Sequence, residues 1–140
     1  MKKHKLFLLV IISIISITLS TSAFAAVTRE SAQLSSYSLD ATSPGSGRIA
    51  TKVVIVGSGK MKEIGVESIY IYEANGTAWR YVDRFSKDDP GMYSTDAYGF
   101  ADTIYYNGEP KTDYKLVVTI FAKDSKGSDS RTKDLYVTTK

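Results

Sequence analysis

The stretch "DYKLVVTIFAK", residues 113–123, alternates strictly between two kinds of position. Tyr114, Leu116, Val118, Ile120 and Ala122 fall on one side of an extended chain, and Lys115, Val117, Thr119, Phe121 and Lys123 on the other. A period of two belongs to a β-strand that buries one face; a helix would scatter the same residues around its circumference. The first set is assigned to a core and the second to an outer face. From Gln33 onward, similar β-branched and aromatic runs recur every roughly 8 to 12 residues between clusters of Gly, Asn, Asp and Ser, the rhythm of a sandwich or barrel. No part of that region keeps the i, i+3, i+4, i+7 pattern of an amphipathic helix.

This spacing predicts an all-β fold, a single seven-stranded antiparallel β-sandwich over 34–140, with strands at 35–41, 48–56, 66–74, 78–86, 98–106, 113–123 and 130–138. In "GRIATKVVIVG" the inward set is Ile49, Thr51, Val53 and Ile55; in the third strand Ile69 and Ile71 turn inward against Ser68, Tyr70 and Tyr72. Asn75-Gly76 marks a tight hairpin, because both residue types accept positive φ. Ser86–Thr95, with Pro90-Gly91, is the one long connection.

The chain starts with Lys2, Lys3 and Lys5, an apolar run from Leu6 to Leu19, and the small residues Ala23 and Ala25. That pattern predicts a secretory signal peptide over 1–25, followed by a flexible leader over 26–33. An apolar run of 14 residues is short for a membrane span. Neither a cysteine after the run nor a second apolar stretch near the C-terminus offers an anchor, so release to the extracellular space is expected, with no membrane association after cleavage. Three of the 18 basic residues lie in the signal, which leaves 15 against 15 acids. A mature chain of zero net charge gives no electrostatic case for a nucleic-acid partner.

The chain has no cysteine, and its one histidine, His4, lies in the signal. Ser-His-Asp and Cys-His nucleophiles and His- or Cys-ligated zinc are therefore excluded from the mature chain. Carboxylate, lysine or tyrosine chemistry and oxygen-ligated calcium remain. Asp88, Asp89 and Asp96 gather in the long loop as weak candidates for a metal, in no EF-hand spacing. With Asp102 and Glu109 they are also the acids near irregular backbone, but no pair is marked out for hydrolysis across a cleft. No cofactor is expected, and the protein is read as non-enzymatic.

"VVIVGSGKM", Val53–Met61, superficially suggests a phosphate loop. The phosphate-loop pattern needs a glycine where Val54 stands and a hydroxyl residue where Met61 stands, and no helix is expected to follow. The segment is read instead as a turn joining the second and third strands.

"GEPKTDYKLVVTIFAKDSKGSDSRTKDLYV" resembles the end of a fibronectin type III or immunoglobulin-like domain, where a proline-containing corner leads into a tyrosine at the start of the sixth strand. The resemblance implies that Tyr114 is a tyrosine-corner residue whose hydroxyl bonds to nearby backbone. "GSGKMKEIGVESIYIYEANGTAW" and "FAKDSKGSDS" further resemble small secreted proteins of Gram-positive bacteria that carry no assigned function. That likeness implies a sandwich and secretion, and it carries no catalytic residues.

The ten Tyr, one Trp and, after the signal, three Phe exceed what one sandwich interior needs. If Ile69 and Ile71 face inward, Tyr70 and Tyr72 face outward, joined by Phe121 and Tyr136 from the last two strands and by Trp79 and Tyr81 from the fourth. Such a patch, Tyr70, Tyr72, Trp79, Tyr81, Phe121 and Tyr136, suits stacking on an extracellular glycan or gripping a protein. Cross-strand aromatic pairing gives the same residues a purely stabilising role. The expected function is a secreted binding module; the alternative is a structural, self-associating extracellular matrix protein.

Overall fold

A computed structural model describes residues 31–140; the expected signal peptide and most of the leader lie outside the described residues. The described chain is all-β and antiparallel: β1 (Leu34–Gly45), β2 (Arg48–Asn75), β3 (Ala78–Ser86), β4 (Tyr93–Asn107), β5 (Asp113–Lys123) and β6 (Ser128–Thr138). There are six strands rather than the seven expected, because the second and third run together as the 28-residue β2.

Glycine-rich chemistry at Gly57-Ser58-Gly59 produces an irregularity in place of the expected chain reversal. The register of β2 against β4 jumps between Val56 and Met61, and pairing then resumes along the same strand. Met61 is buried, as an alternating core position would be. A bulge of this kind bends a strand and increases its local twist. It lets the two parts of β2 keep different neighbours: Arg48–Gly57 lies between β1 and β4, and the later part lies between β5 on one side and first β4, then β3, on the other. β6 pairs with β5.

The resulting sheet is curled around one core. Ile49, Val53 and Ile55 from the first part of β2 join Ile69 and Ile71 from the second, with Leu39, Phe100, Leu116, Val118, Ile120, Ala122 and Leu135. Every inward residue expected in 113–123 and 48–56 is buried. Each large aliphatic side chain in this set contributes on the order of 1.5–3 kcal/mol of apolar burial.

Three connections orient the elements. The β2–β3 hairpin turns at Gly76, with φ of 64°. At the β4–β5 corner the buried Tyr114 accepts the Glu109 N–H at 2.8 Å. The β5–β6 turn is built on Asp124, whose Oδ1 accepts the N–H groups of Lys126 and Gly127 at 2.7 and 2.9 Å.

The free edges of β1 and β6 meet at their two ends. Lys140 N–H donates to Ser43 Oγ at 3.0 Å. At the opposite end, Asp129 Oδ2 accepts the Ser31 hydroxyl at 2.6 Å and the Gln33 N–H at 2.8 Å. Ser31–Gln33, the last part of the expected leader, is thus tied to the sheet by hydrogen bonds.

Candidate functional site

β3, the second part of β2, β5 and β6 lie side by side, and their register carries one row of side chains across the outer face. Tyr81 is opposite Tyr72, Tyr72 opposite Lys115, and Lys115 opposite Tyr136. These positions face outward because their neighbours Ile71, Leu116 and Leu135 fill the core. A register shift between Ile71 and Tyr72 admits Val82 as an extra residue on β3 and keeps Tyr81 and Trp79 on the same face as Tyr72.

The rings touch in a chain of tilted and edge-on contacts. Tyr81 lies 6.0 Å from Tyr72 and 6.3 Å from Tyr70 between centroids. Trp79 is opposite the small Ala74 and reaches past it to Tyr136, at 5.8 Å. Trp79, Tyr81 and Tyr136 remain 40%, 52% and 61% exposed, while Tyr70 and Tyr72 are half-buried beneath them. Beside Trp79 and Tyr136 is an open depression of 320 Å³ that reaches Asp113 and Thr138.

Charges around the rings are matched. Lys115 Nζ sits 3.6 Å from Asp134 and 5.6 Å from the Tyr72 centroid. Arg80 and Glu73 pair at 2.8 Å on the opposite face, where Glu73 stands across from the buried Tyr114. Asp113 Oδ1 accepts the Thr138 hydroxyl at 2.6 Å.

Of the six aromatic residues expected on this face, five come together and Phe121 does not. Phe121 lies on the outer side of β5, six positions from Lys115, yet it is only 3% exposed. Tyr93 packs against it at 6.3 Å, on the strip left open by Gly65, where a Cβ would fall 2.5 Å from Tyr93 Cα. Lys87 Nζ lies 4.5 Å from the Phe121 centroid and is held there by an ion pair with Glu63. The same pair holds the Glu63 carboxyl below its usual range and the Lys87 ammonium above its own. The Lys87–Tyr93 cover comes from a connection remote in sequence, and alternation within β5 carries no sign of it.

The acids of the long connection do not assemble. No three potential ligating side chains come together among the described residues. Asp89 Oδ2 accepts the Ser86 N–H at 2.7 Å as part of a turn, and Asp96 adopts φ of 51° within β4. Asp89 and Asp102 line one open groove with Arg84, and Asp102 Oδ1 accepts the Thr103 N–H.

"GSGK" cradles nothing phosphate-like. Its Ser58 spends its N–H on the Gln33 carbonyl at 2.9 Å and its hydroxyl on the Ala32 carbonyl. Ser58 and Asp129 together secure Ser31–Gln33, a role that sequence reasoning missed because the partners lie 25 to 98 residues apart.

No protein-family model matches the chain, and a search of curated proteins found none similar to it.

Proposed function

We propose that this chain is a secreted, non-enzymatic binding module of the fibronectin type III or immunoglobulin-like kind, which takes an extracellular glycan or protein on its outer aromatic face. The observation that carries this reading is the contiguity of Tyr70, Tyr72, Tyr81, Trp79 and Tyr136, three of them exposed, contributed by β2, β3 and β6. Large exposed aromatic area costs solubility and is characteristic of interaction surfaces.

Two features support the sandwich type. The parts expected as first, second and fifth strands pair together, as do the third, sixth and seventh, which is the pairing core of immunoglobulin-like domains. The Glu109 N–H to Tyr114 hydroxyl bond reproduces a tyrosine corner. The basic start and apolar run of the sequence support secretion.

A glycan array and a cell-wall pull-down test the reading, with Tyr70→Ala and Tyr72→Ala run alongside. Binding that survives both substitutions unchanged removes this face from consideration.

A second reading, self-association into a matrix, draws on β4. Its outer edge pairs with no strand among those described, and Tyr98–Asn107 carries only Asp102 as a charge. Free edges that carry little charge invite pairing between chains. Sedimentation showing monomer alone across a wide concentration range counts against it.

A further inference from the structure

Resting on the reading of this face as a binding surface, we infer that its ligand is a neutral, extended polysaccharide lying across the strands. Three observations select this occupant. The first is direction. Tyr81, Tyr72, Lys115 and Tyr136 occupy successive strands, so the row runs perpendicular to the chain direction, and Trp79 closes it against Tyr136. Tyr81 and Tyr72 stand 6.0 Å apart and Trp79 and Tyr136 5.8 Å apart, with Lys115 between Tyr72 and Tyr136 in the row.

The second is size. Three interstrand spacings of ~4.8 Å make the row roughly 14 Å long, and three residues along a strand make it about 10 Å wide. A standard protein partner covers ~800 Å² and would rest mostly on the surface around this footprint of about 150 Å². The footprint suits a short run of sugar rings, whose apolar faces meet the aromatic rings and whose hydroxyls meet the Tyr O–H and Trp N–H at the rim.

The third is charge. On the outer face around the rings, Lys115 and Arg84 are balanced by Asp113 and Asp134, with Lys115 and Asp134 already paired. An anionic polymer would meet no net positive field there, and a cationic one no net negative field.

The experiment is a depletion assay against insoluble cellulose, chitin, curdlan and starch, and against immobilised polygalacturonate and heparin, at low and high salt. It uses wild type, Trp79→Ala and Tyr136→Ala, with Tyr98→Ala and Tyr105→Ala as exposed aromatics off this face and circular dichroism to verify folding. The expected result is retention by at least one neutral polysaccharide, insensitive to salt. Trp79→Ala and Tyr136→Ala should each weaken it by roughly tenfold, the scale of one lost contact of about 1.4 kcal/mol, and the two controls should not. Retention by the anionic polymers alone, abolished at high salt, overturns the neutral ligand. Retention by no polysaccharide overturns the inference while leaving the face open to a protein ligand. Polysaccharide retention indifferent to both face variants overturns the binding face itself.

Discussion

The Glu109 N–H and the Tyr114 hydroxyl meet at 2.8 Å and close the corner between β4 and β5 around a buried ring. Gly108 makes room for it: a Cβ there would stand 2.7 Å from both Cζ and Oη of Tyr114. Tyr114→Phe keeps the ring and removes the acceptor, so the expected cost is about 1–2 kcal/mol in urea unfolding, a lost bond plus an unsatisfied N–H. Gly108→Ala forces the ring out of place and should cost more than Tyr114→Phe. Equal stability of wild type and Tyr114→Phe would show that the corner is held by packing alone.

Met61 tests the continuity of β2. If Gly57–Met61 were a free turn, truncating Met61 would matter little; in this fold the side chain is 2% exposed and part of the core. Met61→Ala should cost about 2–5 kcal/mol. Lys60→Ala, one position earlier and exposed, should stay within about 0.5 kcal/mol of wild type. Denaturant midpoints of the two variants decide the matter.

Phe121 and Tyr136 share an outer face but should behave oppositely. Phe121 is enclosed by Tyr93 and Lys87, so Phe121→Ala is expected to lose about 3–5 kcal/mol, as a core truncation does. Tyr136, with its ring largely in solvent, should lose less than about 1 kcal/mol when changed to Ala. Thermal melts of both check the contrast, and a small loss for Phe121→Ala would return that ring to the candidate surface.

The residues differ in how much of this was legible from local pattern. Strand limits at 78–86 and 113–123 coincide with β3 and β5, because alternation, a hairpin glycine and a proline corner all act within a few residues. The facing of Tyr70, Tyr72, Tyr81 and Tyr136 followed from the same alternation. What escaped depends on partners distant in sequence. Glycines at 57 and 59 read as a turn, yet β4 and β5 hold the following residues in extended pairing. Tyr93–Thr95 read as the end of the long connection, yet it pairs with Glu63–Gly65. Asp124 and Asp129 flank Gly127 at the β5–β6 turn, yet both also hold Gln33 from far up the chain.

That last arrangement makes the attachment of Ser31–Gln33 sensitive to acid. Asp129 is held below the usual carboxylate range, first by the Ser31 hydroxyl and then by the Gln33 N–H. Asp124 is held low first by the Lys126 N–H, with the Gln33 side chain and the Gly127 N–H adding to it. Both groups therefore bind a proton less readily in the folded chain than in the unfolded one, where an aspartate titrates near ~3.9. The stabilisation is complete above that value and is lost as pH falls through the lower folded values. Urea midpoints measured well above and well below ~4 should drop in wild type. Asp129→Asn should start lower near neutrality and fall less in acid, because its contribution no longer titrates. Exchange of the Gln33 amide should quicken in Asp129→Asn, relative to wild type at the same pH, before the core amides of β5 respond. Parallel acid profiles for the two proteins would mean that the carboxylate charge has no part in holding the segment.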